Sequence, residues 1–470
     1  MRLSSPPTRL ALALAAALAL AGCQPAADEA TPMPTSDAAA SDASAAAPTA
    51  APAPDAPRSA IFLHPDGMAA NTWAAARLMQ VGPDGRLAWD ALPRLAIYVG
   101  PSLDSVTQSS NGGATTHAFG VRAELDSYGL VGGQVPTAAS GQARSLMKEA
   151  QAAGKKVALL NSSSLTEPGT GAFLASVASR DDEAEIASQI LAARPDIALG
   201  GGEMFFLPKG VQGRHGGGVR EDGRNLVEEA KAAGYTVVFT ADELAALPAD
   251  ASKVLGLFAA ESTFNEMDEA ALAEAGLPAF QPQAPRFDAM LAFILARFKD
   301  APNGYFIVGN EEGTDNLSGE NNAVATLDAA AGADRAIALA LAGAEADPGL
   351  TVVVASDSDN GGLNATSDDL DDPEDLPRPL PDRTANGSPL DSDNGEPFLT
   401  PPDANGNRIP FYLTWASDSD SAGGTVVRGI GPGAALIEGT VDATTVYKAL
   451  HLGLFDGAPG AASPDEAATP

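Results

Sequence analysis

The chain of 470 residues is long enough for two or three ordinary domains, or for one large α/β enzyme domain with insertions, and 45 % hydrophobic residues can build a sizeable core. A formal net charge of −33 and a pI near 4.2 repel phosphate backbones, so no nucleic acid is expected as a partner. The same charge draws divalent cations towards the surface, although a solvated acidic surface is the plainer account of it.

The elements begin with a targeting segment. Arg2 and Arg9 precede the apolar run Leu10 to Ala21, which is too short to span a bilayer comfortably and reads as a secretory signal over residues 1–22. Leu20-Ala21-Gly22-Cys23 is similar to the bacterial lipobox, whose cysteine receives lipid and starts the mature chain; Cys23 is the single cysteine, so no intramolecular disulfide can form. The expectation is a lipid-anchored protein of the bacterial cell envelope, periplasmic or at the surface; the alternative is an ordinary cleaved signal with an incidental cysteine. Residues 23–57, rich in Ala, Pro, Ser and Thr, lack what a core needs and read as a tether. As a coil the tether reaches about 30–35 Å.

Buried strands are expected at Ser59–His64, Leu95–Val99, Lys156–Leu160, Tyr235–Thr240, Tyr305–Val308 and Leu350–Ala355. Helices are expected at Asn71–Gln80, Ser140–Ala153, Asp182–Ala193, Asn225–Ala233, Phe287–Lys299, Ala323–Ala342 and Thr444–Leu454. Strands alternating with helices imply an α/β domain over residues 58–456 with a mainly parallel central sheet and helices on both faces. Residues 364–408, rich in Asp, Pro, Asn and Gly, read as an acidic loop insertion, and 457–470 as a loose tail. Within the insertion, Asp391 to Gly395 and Asp403 to Asn407 echo calcium-loop spacing, but without the flanking helices and terminal glutamate of an EF-hand.

Chemistry belongs at the carboxyl ends of the strands. His64-Pro65-Asp66-Gly67, Asn310 to Asp315 and Ser356 to Gly362 are the polar clusters there. Asp66 can ligate a metal, with Gly67 letting the backbone turn beside it. Ser109-Ser110-Asn111-Gly112-Gly113 opens a helix, where free N–H groups and the dipole suit either an N-cap or a nucleophile attacking an anionic group.

Six segments, in order, resemble the alkaline phosphatase family: Asp66-Gly67-Met68; Ser110 with Thr115 and Gly120; Gly171-Ala172-Phe173 through Ser179-Arg180; Asp315 with Glu320-Asn321-Asn322-Ala323; Val352 through Asp357 with Gly361-Gly362; and Gly431-Pro432-Gly433-Ala434. The resemblance covers roughly Arg58 to Leu454. It implies a metal-dependent phosphomonoester hydrolase acting on a phosphorylated small molecule, with Ser110 as nucleophile and Arg180 as phosphate clamp, in an assembly for which a homodimer is a candidate. Such sites use paired metals about 4 Å apart and a bidentate arginine.

The resemblance breaks at the metal ligands. Where the family places zinc-binding histidines, this chain has Gly319, Ser358 and Asp420; at the two magnesium-ligand positions it has Asn310 and Gly169, the latter beside Glu167. Only His64, His117, His215 and His451 exist in the chain. The ligand set implied is therefore oxygen-rich: Asp66, Asp315, Asp357, Asp420, Glu167 and Asn310. Oxygen donors favour Mg²⁺, Ca²⁺ or Mn²⁺ over Zn²⁺. His64, on the same strand face as Asp66, reads either as a nitrogen ligand or as a structural core histidine. The alternative function is a catalytically inactive binding lipoprotein that keeps the fold.

Overall fold

The computed structural model describes residues 58–367 and 378–455. Cys23, the signal, the tether and the 457–470 tail lie outside them. Eight strands come first: β1 (Ser59–Pro65), β2 (Arg94–Val99), β3 (Lys156–Ser164), β4 (Ile197–Gly201), β5 (Thr236–Val238), β6 (Val254–Leu257), β7 (Tyr305–Glu311) and β8 (Leu350–Ala355). Six short strands follow, β9 (Asp359–Asn360), β10 (Asn364–Thr366), β11 (Leu390–Asp391), β12 (Phe398–Leu399), β13 (Pro410–Thr414) and β14 (Asp420–Ser421), and then β15 (Val426–Ile430) and β16 (Gly439–Asp442). Ten of these form one sheet in the order β16-β2-β15-β8-β1-β7-β3-β4-β6-β5. Every pairing in it is parallel except those of β15, which runs antiparallel to both β8 and β2.

Strand alternation sends side chains to two cores. From β1, Ala60 and Phe62 enter one and Ile61 and Leu63 the other; β7 and β8 divide likewise through Phe306 and Val308 against Ile307, and Val353 and Ala355 against Val352 and Val354. The helices Ser110–Phe119, Leu146–Ala152, Glu183–Ala193 and Thr444–Leu454 cover the first face; Ala70–Gln80, Phe287–Phe298 and the long Ala323–Ala346 cover the second. A mainly parallel sheet, buried on both faces along its central strands, is thus the observed fold; β2, expected to be buried, instead exposes Leu95, Ile97 and Val99 on one face, since it lies near the sheet's edge with only β16 beyond it.

Several expected bounds move. The helix expected from Ser140 begins at Leu146, because Ser145 caps it by accepting from the Lys148 N–H. The Tyr235–Thr240 strand shortens to three residues because Thr240 turns to cap the helix Ala241–Ala245. The acidic insertion is partly built into the protein: β10, β11 and β12 pair with β13, while residues 368–377 lie outside the described set. Asp403 spends its Oδ1 on the N–H groups of Asn405 and Asn407, and Asp391 Oδ2 accepts from Trp415 Nε1.

Candidate active site

The site forms where β8, β1 and β7 end side by side. β1 is in register with β8 from Ser59↔Leu350 to Leu63↔Val354, so carrying that register three residues further brings Asp66 level with Asp357. On the other side His64 pairs with Asn310 and Pro65 with Glu311. Gly67 then turns the chain at φ +64°, and a Cβ there would lie 2.4 Å from Asp315 Oδ1 and 2.8 Å from Asn360 Cβ. Only glycine satisfies both the left-handed backbone and the close approach. The loops are tied to one another: Thr314 Oγ1 donates to the Asp66 carbonyl (2.7 Å), the Met68 N–H to Ser356 Oγ (3.0 Å) and the Asn360 N–H to the Gly67 carbonyl (3.0 Å).

Three side chains converge. His64, Asp66 and Asp357 are buried and offer donor atoms within 4.8 Å of one another. His64 Nε2 lies 3.6 Å from Asp66 Oδ1 and 3.5 Å from Asp357 Oδ1. Burial, with Asp357 and Glu312 close by, pushes the Asp66 carboxyl well above its ordinary range. Asp357 goes the other way: burial opposes its ionisation, but the facing His64 and Asp66 outweigh it and hold the carboxyl at about 2. Asp315 is pushed well up by burial and by Asp420.

Asp420 reaches the same end of the sheet through β14, paired with β9 at Asp420↔Asn360. Its Oδ1 accepts from Ser358 Oγ at 2.6 Å, and burial together with Asp357 raises it to about 6. Two positions where the family has histidines are therefore joined to each other. The third, Gly319, leaves room occupied by Asn360, whose amide lies 3.7 Å from where a Gly319 Cβ would stand. Asn360 follows no spacing rule in the sequence; only the β9–β14 pairing reveals it as part of the site.

A second group lies beside the first. Asn310 is fully buried, donates Nδ2 to Glu312 Oε2, and packs against Gly169, where a Cβ would be 2.3 Å from the Asn310 amide. Glu167 receives Arg180 Nη2 at 2.6 Å. Burial raises the Glu167 carboxyl and Arg180 opposes the rise. The guanidinium itself is held above its ordinary value against burial, chiefly by Glu167 and Glu312. Its other N–H groups have no acceptor among the described residues, and the side chain is 44 % exposed.

Ser110 is the first residue of the helix Ser110–Phe119. Ser109 Oγ is engaged with the Leu125 carbonyl at 2.6 Å, whereas Ser110 Oγ has no hydrogen-bond partner among the described residues. Gly113, on the same helix face as Ser110, packs on Asp357; a Cβ there would lie 2.3 Å from Asp357 Oδ2. The first helical turn is thereby pressed against the carboxylate cluster. Gly113 was not singled out from sequence, because its need appears only with Asp357 beside it. Thr115 fastens the helix to the following loop, donating to the Ser127 carbonyl and accepting from the Gly129 N–H.

The residues fit a bound divalent cation. Asp66 Oδ2, both Asp357 oxygens, Asp315 Oδ1, Asn310 Oδ1, Asn360 Oδ1 and both His64 nitrogens are buried with no hydrogen-bond partner. Buried polar atoms ordinarily find partners, and the orphaned atoms that converge at His64, Asp66 and Asp357 are of the kind a cation satisfies.

The alkaline phosphatase family profile matches residues 58–376. The chain belongs to the alkaline phosphatase family. An alkaline phosphatase of Gadus morhua is 27 % identical over 296 residues, covering 53 % of this chain; the chain spans 60 % of that enzyme's length. The crystal structure of Thermus thermophilus alkaline phosphatase superposes with a TM-score of 0.65 at 22 % identity, covering 86 % of this chain and 93 % of that one. A histidine-to-aspartate variant of the alkaline phosphatase from the Antarctic bacterium TAB5, solved with Mg bound, superposes at 0.60 with 19 % identity, covering 85 % and 98 %. Neighbours of this fold thus bind divalent metal. No helix among the described residues is long and apolar enough to cross a membrane.

Proposed function

We infer that this alkaline phosphatase family member is a metal-dependent phosphomonoester hydrolase that acts through Ser110 and Arg180. The observation carrying this reading is the unpartnered Ser110 hydroxyl at a helix N-terminus packed through Gly113 onto the buried Asp357 cluster. In this account the bond from Ser110 Oγ to phosphorus forms as the ester oxygen leaves with its electron pair and takes up a proton. Water then releases phosphate and restores the serine. Helix N–H groups favour the anionic phosphoryl group. Arg180, steadied by Glu167 at 2.6 Å, offers its remaining N–H groups to phosphate oxygens as a fork. Divalent ions held by Asp66, Asp315, Asp357 and Asp420 would supply the positive charge that stabilises attacking and leaving oxygens. The oxygen-rich set supports Mg²⁺, Ca²⁺ or Mn²⁺ over Zn²⁺.

A second reading, a binding protein without turnover, draws support from one observation: the Ser358–Asp420 hydrogen bond closes two ligand positions on each other. Turnover of a generic aryl phosphate by the purified protein, before and after chelation, separates the two. Metal-dependent turnover supports hydrolysis; tight phosphate binding without turnover supports the alternative. Attachment to the envelope through Cys23 is part of the same proposal, and mass spectrometry of the mature N-terminus tests it.

A further inference from the structure

We propose that His64 is a metal ligand, forming with Asp66 and Asp357 a one-nitrogen, two-carboxylate set that compensates for the imidazole missing at Ser358. The inference rests on the metal-dependent reading above. Two buried histidines sit side by side here, and their partners differ. His117 Nε2 lies 2.9 Å from the Tyr98 hydroxyl, a bond that ties it into the core. His64 is equally buried, yet neither ring nitrogen has a hydrogen-bond partner.

A structural histidine without any hydrogen bond would waste two polar atoms in a dry interior. His64 instead turns Nε2 between two carboxylate oxygens at 3.5 and 3.6 Å. Those separations exceed the 2.7–2.9 Å of a charge-assisted hydrogen bond. They lie at the upper end of what donors sharing one ion show: two atoms each about 2.2 Å from a metal, at angles between octahedral and tetrahedral, stand about 3.1–3.6 Å apart. The ring is also held in place. It stacks on Phe62 at 5.6 Å and meets His117 edge-on at 5.4 Å. Strand geometry supplies the rest, because residues 64 and 66 share a face at the end of β1 while Asp357 arrives from the adjacent β8.

Such a set differs from an all-oxygen site in the ions it accepts: one imidazole admits Mn²⁺, Co²⁺ and Zn²⁺ alongside the harder cations. The test uses the full mature chain stripped with chelator and reloaded with one equivalent of Mn²⁺. Electron spin-echo envelope modulation reads coordinated imidazole directly, without reference to activity. Wild-type protein should show nitrogen modulation, and labelling with ¹⁵N-histidine should change its pattern. His64→Asn should abolish the modulation and weaken Mn²⁺ binding by at least about tenfold. His117→Asn, His215→Asn and His451→Asn should each keep the modulation, which assigns the signal to His64 by elimination even if the His64 variant fails to fold. Mn²⁺ bound without nitrogen modulation would overturn the role of His64 and leave the metal-dependent reading standing. Failure of the wild type to bind Mn²⁺, Mg²⁺ or Ca²⁺ at all would overturn both.

Discussion

Replacing Gly113 by alanine sets two effects against each other. Alanine is favoured over glycine inside a helix by about 1 kcal/mol. The new Cβ, however, would lie 2.3 Å from Asp357 Oδ2 and 2.5 Å from Asp357 Cβ. The first contact could be relieved by a side-chain rotation, but the second cannot, because Asp357 Cβ is fixed to the end of β8. The carbons fall about 1 Å short of ordinary contact, so helix or strand end must move. Overpacking of this kind costs about 1–3 kcal/mol and cancels or outweighs the helical gain, leaving a net loss of up to about 2 kcal/mol. Displacing Asp357 should also weaken divalent-metal binding by about 10–100-fold. Gly332→Ala is the control. It lies within the long helix Ala323–Ala346, and its nearest neighbours would be 3.7 Å away, so it should stabilise by up to about 1 kcal/mol and leave metal affinity unchanged. Urea unfolding with and without chelator, together with metal titration of both variants, makes the comparison. If Gly113→Ala matched Gly332→Ala in stability and metal affinity, the packing of the Ser110 helix against Asp357 would be refuted.

Other outcomes follow from the same geometry. Ser110→Ala should remove nearly all phosphomonoester turnover with an unchanged circular dichroism spectrum; Ser109→Ala, which loses only the bond to the Leu125 carbonyl, should retain most of it, and the reverse order would place the nucleophile one residue earlier. Glu167→Gln should raise KM more than it lowers kcat, since it loosens Arg180; steady-state kinetics showing the opposite split would remove Glu167 from the positioning of the guanidinium. Burial and Asp391 raise Glu269 to about 7 from an ordinary 4.5. The folded protein therefore holds that proton more tightly than the unfolded chain, and stability is lost as pH rises from below 4.5 through 7. The gap corresponds to at most about 3 kcal/mol. In urea unfolding at pH 4 and pH 8, Glu269→Gln should lack that loss, and an unchanged pH slope would contradict it.

The central sheet was legible because β1, β7 and β8 are apolar runs buried on both faces. β4 and β6 carry little strand signal because Ile197–Gly201 ends in two glycines and Val254–Leu257 is a four-residue run interrupted by one. The interruption has a packing reason: a Cβ on Gly256 would be 2.3 Å from the Phe258 ring. The antiparallel β15 carries no local sign of its direction, which is set by the strands it meets. Among the candidate residues, Asp66, Asp315, Asp357, Ser110 and Arg180 are legible as positions in ordered motifs, and Asp420 only by its distance from the Gly431-Pro432-Gly433 turn. Their grouping is not, because it depends on strand order: β8-β1-β7 brings Asp66 level with Asp357, and β14 carries Asp420 to Ser358. Asn360 and Gly113 had no periodic or spacing signal at all. His64 was visible as a residue sharing a face with Asp66, but its lack of any hydrogen bond is a tertiary fact.

Metal content measured together with turnover tests the central claim most directly. Purified mature protein, dialysed against metal-free buffer, should retain divalent metal by elemental analysis and hydrolyse an aryl phosphate. Chelation should abolish that turnover, and Mg²⁺, Ca²⁺ or Mn²⁺ should restore it better than Zn²⁺. A protein that retained no metal and showed no turnover with any added ion would contradict the account, as would one whose turnover survived complete chelation.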